Sequence, residues 1–99
     1  MARFEVFAAP SGEGFLLDVQ ADILDEFNTR IVVPLMPTSA APKPSKLLNP
    51  VFEIGEVPHV MVTQFVGAVP TAILKEPIAT LRDRDAEITG ALDMAFFGF

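Results

Sequence analysis

Ile88-Thr89-Gly90-Ala91-Leu92-Asp93-Met94-Ala95-Phe96-Phe97-Gly98-Phe99 reads, at about 100° per residue, as an amphipathic helix. Ile88, Ala91, Leu92, Ala95, Phe96 and Phe99 recur at i, i+3, i+4, i+7, i+8 and i+11 and form one apolar stripe. Leu81, one heptad before Ile88, prolongs it, and Phe96 is expected in the core. Phe97 falls outside the stripe, about 180° from Ile88, and Met94 lies about 240° away. A large aromatic thus stands on the face where such a helix would carry a charge, and the sequence stops two residues later. Either something covers that face or the aromatic exists to be covered.

Upstream the pattern changes to short strands. Thr80 or Asp83 can cap the helix, and Asp83, Asp85 and Glu87 lie in or near its first turns, where the positive end of the dipole favours them. Lys75-Glu76-Pro77 breaks a last short strand, 71–74, and Gly67 and Pro70 predict a bend at a barrel corner over 65–70. The arm 59–64 answers the strand 51–54 across the turn Gly55-Glu56-Val57-Pro58. From Pro37 to Pro50, four prolines, small polar residues and two lysines predict an irregular loop too long for a plain connection. Residues 29–36 are β-branched and continuously apolar, the best strand of the chain, and Pro34 predicts that it is an edge or bulges there. Residues 21–28 interrupt the strands, with Ile23 and Leu24 set between carboxylates. They are either a link that plugs the core or an exposed apolar knuckle on a contact surface. Phe4 and Val6 alternate with Arg3, Glu5 and Phe7 as in a half-buried strand, which returns through the turn 10–14 as 15–20. Many short strands and one final helix predict a mainly β (α+β) domain, a curled sheet with the helix packed against it.

Ninety-nine residues make one domain, 1–99, able to bury about two-thirds of its unfolded surface. The apolar fraction is 51%, slightly above the usual 45–50% or so, which predicts apolar surface left for a partner. No run of about 18 apolar residues suggests a transmembrane helix. Met1-Ala2-Arg3-Phe4-Glu5 lacks the apolar core of a signal peptide, and the absence of cysteine fits a cytosolic protein. The net charge of −6 argues against affinity for a phosphate backbone.

Residues that could carry chemistry have ordinary readings. His59, the single histidine, begins a strand with no second metal ligand nearby and reads first as structural, second as catalytic. Asp25-Glu26 sits in a turn and Asp83, Asp85 and Glu87 at a helix start, both places that attract carboxylates. Ser11 and Ser39 lack a nucleophile motif, and no phosphate-binding glycine loop occurs. Nothing calls for a catalytic residue, a metal or a cofactor. Interaction surface remains: Phe97 and Met94, with Ile23 and Leu24. A homodimer whose helices meet near a two-fold axis would cover Met94 without covering the last residues.

The order and spacing of four segments resemble the CcdB family of bacterial toxins. They are Asp18-Val19-Gln20-Ala21-Asp22-Ile23-Leu24-Asp25 with Arg30-Ile31-Val32-Val33-Pro34-Leu35; Asn49-Pro50-Val51-Phe52 with Ile54-Gly55; Thr63 to Val69-Pro70; and the helix ending in Phe96, an aromatic, Gly and an apolar residue. The resemblance spans essentially the whole chain. It implies an SH3-like curled barrel of short antiparallel strands with one long C-terminal α-helix, assembled as a homodimer. It further implies a cytoplasmic toxin of a type II toxin–antitoxin system. Such a toxin binds the A subunit of DNA gyrase, trapping the enzyme on cleaved DNA, with no catalysis of its own. A cognate antitoxin neutralises it, and operator DNA is bound only together with that antitoxin. By position, Phe97, Gly98 and Phe99 become gyrase contacts, joined by Ile23 and Leu24 and by Asp93, while Met94 is left to the dimer interface. Three features depart from the family pattern. Phe97 replaces a Trp that would stack better on an arginine. Asp93 replaces an Asn, putting a carboxylate near the negative helix end at a cost of roughly 0.3–1 kcal/mol. The first hairpin turn carries Pro10, Gly12 and Gly14 instead of basic and aromatic residues. The same fold houses endoribonuclease toxins of the MazF/Kid type, but seven basic residues at net −6 suit an RNA groove poorly. A non-toxic relative that binds only antitoxin is the third reading. Register places Phe99 with the core and the resemblance places it with the target.

Overall fold

The computed structural model describes residues 1–99. In chain order it contains β1 (Glu5–Ala8), β2 (Phe15–Asp18), β3 (Thr29–Pro37), β4 (Val51–Ile54), β5 (Val57–Met61), β6 (Gly67–Pro70), β7 (Ala79–Thr80) and α1 (Asp85–Phe97), with short 3₁₀ turns between them. All strand pairs are antiparallel, in the order β4-β5-β3-β2-β1-β7. The β-branched run of β3 is the hub, because β6 pairs with its first half and β5 with its second half along the same side. Sharing one strand between two neighbours curls the sheet into a nearly closed barrel of short strands with one C-terminal helix, the fold class expected from the sequence.

Pro34 does not mark an edge. In an extended strand the N and C=O of one residue face the same side, and the Pro34 carbonyl faces β5, accepting the Val62 N–H at 3.0 Å. Its missing N–H therefore falls in the gap between Val32, the last β3 residue paired with β6, and Leu35, the first paired with β5. A central strand accommodates proline where its neighbour changes.

The first strand is not half-buried. Phe4 and Val6 enter the main core with Leu17, Val33, Leu35, Phe52 and Met61. Phe7, on the opposite face, is also buried, in a second cluster with Val32 and Leu74. The turn that brings Leu74 there is a 3₁₀ turn, Thr71–Ile73, where a strand was expected. Conversely, the expected bend over 65–70 contains β6, whose four residues Gly67–Pro70 pair with Val32–Thr29. Gly55 and Glu56 take φ 60° and 68°, the twisted two-residue turn that suits a tight hairpin, so β5 begins at Val57, earlier than the sequence suggests. In the β1–β2 loop Gly14 is obligatory: at φ +77°, a Cβ there would lie 2.6 Å from the Leu35 carbonyl oxygen.

Neither expected residue caps α1. The Thr80 hydroxyl instead accepts the Arg82 N–H at 3.3 Å, starting a 3₁₀ turn Arg82–Arg84 that leads into the helix. The Arg84 guanidinium sits 4.9 Å from the Phe52 ring centre and its Nε donates to Glu87 Oε1 at 2.5 Å, docking the helix start on the barrel. That bond lowers the pKa of Glu87. Leu81, Ile88 and Ala91 are buried and Leu92 half-buried, so the first half of the predicted stripe packs as expected. The second half does not. From Asp93 onward no residue is buried, and Phe96 and Phe99 are 65% and 87% exposed. The helix runs on past the barrel wall, and the stripe continues with nothing beneath it.

Candidate protein-binding site

The overhanging end of α1 carries Met94, Ala95, Phe96, Phe97, Gly98 and Phe99. Phe97 is 68% exposed, as its register predicts. Gly98 takes φ 80° and its N–H donates to the Met94 carbonyl at 3.0 Å, closing the helix with a left-handed cap. That turn brings the Phe99 ring to 6.4 Å from the Phe97 ring, centre to centre. Two of the three final residues thus form an aromatic pair, and Phe99 belongs to it and not to the core. Asp93, one turn earlier, is exposed and free of ion pairs, with no basic residue in the last helical turn to offset it.

A groove of about 380 Å³ beside the tail is lined by Lys46, Leu47, Pro50, Gly90, Met94 and Phe99, among others. A second, of about 520 Å³, is lined by Leu48, Thr63, Val66, Met94, Ala95 and Phe96, among others. Met94, half-buried, borders both. Their other wall is the end of the proline-rich loop, latched by the buried Asn49. Its Nδ2 donates to the Met61 carbonyl at 3.0 Å and to Gln64 Oε1 at 2.8 Å, while its Oδ1 accepts the Ser45 N–H at 3.0 Å.

The second projection lies between β2 and β3. Asp22–Leu24 forms a 3₁₀ turn with no buried residue, and Ile23 and Leu24 are 88% and 39% exposed. The core-plug alternative is therefore overturned: these side chains point outward, and Phe27 beside them is exposed as well. Hydrogen bonds, not packing, hold the knuckle. Asp22 Oδ1 accepts the Arg3 N–H at 2.8 Å, Arg3 Nε donates to the Val19 carbonyl at 3.1 Å, and Gln20 Nε2 donates to the Leu24 carbonyl at 2.7 Å. Phe4 follows at φ 72°, a strained value for an aromatic, which turns its ring into the core while leaving Arg3 beside the knuckle.

Beneath lies a buried polar group. Arg30 Nε donates to Asp18 Oδ2 at 2.9 Å, and both residues are almost wholly inaccessible. Asp18 Oδ1 accepts the Gln20 N–H at 3.0 Å. Burial pushes the Asp18 carboxyl above its ordinary value, opposed by the Arg30 and Gln20 hydrogen bonds. Arg30 Nη2 lies 2.5 Å from the same Asp18 Oδ2, outside hydrogen-bond geometry, and Nη1 is buried with no partner, so the guanidinium is only partly satisfied.

The remaining candidates stay apart. His59 is buried, its Nδ1 2.8 Å from the Val57 carbonyl and its ring against Phe15, a packed structural histidine. Asp25 and Glu26 are exposed in a turn, Ser39 is exposed, and Ser11 interacts only within its own turn at Glu13. No group of three or more His, Cys, Asp or Glu residues is placed to hold a metal ion. The tail gathers Asp93, Met94, Phe97, Gly98 and Phe99; Ile23 and Leu24 form a separate projection, joined to it by no hydrogen bond, ion pair or aromatic contact. Reading the sequence missed Phe96 and Phe27 as exposed apolar residues, and Gln20 and Arg3 as supports of the knuckle. The one available signal was the i, i+4 spacing from Gln20 to Leu24.

A family model described as CcdB protein matches residues 3–98. That covers the barrel, the knuckle and the helix through Gly98, and no helix is long and apolar enough to cross a membrane. With its barrel, its projecting aromatic helix end and this match along nearly its full length, the chain belongs to the CcdB family, toxins of toxin–antitoxin systems that act by binding protein.

Proposed function

We propose that the chain poisons DNA gyrase by binding its A subunit through the helix end Phe97-Gly98-Phe99 and the Ile23–Leu24 knuckle, with Asp93 at the margin. The observation that carries this reading is the aromatic pair Phe97–Phe99, exposed to water at the end of a capped helix that its own barrel does not cover. Leaving two aromatic rings solvated forgoes burial that each could gain, of order 2 kcal/mol, so the arrangement suits a surface that is completed by a partner. The chemistry is recognition, and the action on DNA belongs to the trapped gyrase.

The same reading makes the toxin a cytoplasmic homodimer, with Met94 covered by a second copy and Phe97-Gly98-Phe99 left free for the target. A cognate antitoxin would mask the apolar projections and share operator binding, in keeping with a net charge of −6 that argues against affinity for a phosphate backbone by the chain alone. The test is to incubate the purified chain with gyrase and supercoiled DNA, then denature with detergent. Linear DNA should accumulate in proportion to the chain added. RNA cleavage with no effect on gyrase would replace this reading by an endoribonuclease one, and binding to antitoxin alone would make the chain a non-toxic relative.

A further inference from the structure

The helix end is fixed by its own hydrogen bonds and by Gly98, but the Asp22–Leu24 turn has no buried residue to fix it. We propose that Gln20 is the positioning residue of the Ile23–Leu24 knuckle, a role that rests on reading that knuckle as a contact for the gyrase A subunit. The Gln20 amide is 3% exposed and used at both ends. Its Oε1 accepts the Ile31 N–H of β3 at 3.1 Å, and its Nε2 donates to the Leu24 carbonyl at 2.7 Å. One side chain therefore ties the end of an exposed turn to the hub strand of the barrel. Flipping the amide would set oxygen against the Leu24 carbonyl and N–H against the Ile31 N–H, so only one orientation serves.

The support is itself anchored. The Gln20 N–H is held by Asp18 Oδ1 at 3.0 Å, and the other Asp18 oxygen is held by Arg30. The buried polar group beneath the knuckle thus acts as its foundation. The other direct hold, Asp22 Oδ1 on the Arg3 N–H, is exposed to water, where a hydrogen bond is easily exchanged. Glutamate at position 20 would still accept from Ile31 but would turn an oxygen toward the Leu24 carbonyl. Methionine fills the volume and supplies neither bond. A contact held in its bound geometry avoids ordering costs on association. Loss of the Gln20 hold should weaken target binding about tenfold, the equivalent of ~1.4 kcal/mol, mainly through faster dissociation.

The test uses the full chain with Gln20→Met and Gln20→Glu, followed by amide relaxation and hydrogen exchange and by binding to the purified gyrase A subunit. In the unsubstituted chain the backbone of 23–27 should be as ordered as β3, with a slowly exchanging Gln20 side-chain amide. Both substitutions should loosen 23–27 and weaken binding about tenfold, leaving exchange protection of β3 in place except at the Ile31 N–H, which Gln20→Met strips of its acceptor. In an Ile23→Ala/Leu24→Ala background they should cost no further affinity, whereas a merely structural contribution would persist there. Unchanged order and affinity in both variants would overturn the proposal. If the variants fail to fold, the unsubstituted chain decides: a knuckle as mobile as the Gly12–Glu13 loop tip refutes the role, and an ordered one with a protected amide supports it. If the unsubstituted chain does not bind the gyrase A subunit, the gyrase reading fails, while the relaxation data still decide whether Gln20 orders the knuckle.

Discussion

The two halves of the apolar stripe on α1 should differ sharply in what they contribute to stability. Ile88 is wholly buried among Leu17, Met61 and Leu81, so Ile88→Ala removes packed methylenes and leaves a cavity, costing ~2–5 kcal/mol. Phe96 keeps 65% of its surface in water. If a phenylalanine buries about 200 Å², roughly 70 Å² is at stake, or at most ~1.8 kcal/mol at 25 cal/mol/Å². Alanine's better helix propensity returns ~0.5 kcal/mol, leaving a net cost of about 1 kcal/mol. Urea denaturation followed by circular dichroism reads both values, with unchanged slopes showing that the same surface unfolds. The series belongs at the lowest concentration the signal allows and again tenfold higher, because a stabilising dimer makes the apparent stability depend on concentration. An extra cost of Phe96→Ala that appears only where the chain associates would put Phe96 in a contact between copies. A loss equal to that of Ile88→Ala at every concentration would refute the assignment of faces.

Further substitutions probe the fold and the ground under the knuckle. Gly14→Ala combines positive φ with a Cβ 2.6 Å from a backbone oxygen, and should lower stability by at least ~1–3 kcal/mol in the same denaturation assay. Gly90→Ala should do the opposite, gaining ~0.5–1 kcal/mol, since its Cβ would meet nothing within 4 Å in an exposed helix interior; a loss would mean that a second copy packs there. Carboxyl NMR should give Asp18 a midpoint above 3.8, because burial outweighs its hydrogen bonds, and Arg30→Met should raise it further. The folded chain then holds this proton more tightly than the unfolded one. The Asp18 contribution to stability is therefore least above its folded midpoint, grows as pH falls through that midpoint, and is complete below 3.8, opposite to an ordinary paired carboxylate. A midpoint at or below 3.8 would show that the ion pair dominates.

Local pattern carried the helix, the hairpins and the isolation of Phe97, because each depends on the angle or alternation of neighbouring residues. It failed where distance along the fold mattered. Periodicity gives the direction in which Phe96 points but not where the barrel wall ends, so by itself it puts an exposed ring in the core. Phe7 was expected on an open face because its cover comes from Leu74, far away in sequence. Gly67 and Pro70 read as punctuation, yet β6 pairs with β3 through them, at the far end of the hub. Pro34 obeyed its rule locally: its missing donor does face a gap, though inside the sheet. At the candidate site, the exposed apolar pair Ile23–Leu24 was visible as an alternative. The amide that holds it joins residues 20, 24 and 31, and only folding brings that set together.

The central claim is that the exposed end of α1 is indispensable for engaging the target, with the Ile23–Leu24 knuckle as a second contact. The direct measurement is gyrase-mediated accumulation of linear DNA with the intact chain and with a chain lacking Phe97–Phe99, both first shown to share the same circular dichroism and melting behaviour. The intact chain should trap cleaved DNA and the shortened one should not, at any concentration up to a hundredfold excess over gyrase. Equal trapping by the two would contradict the assignment of the site.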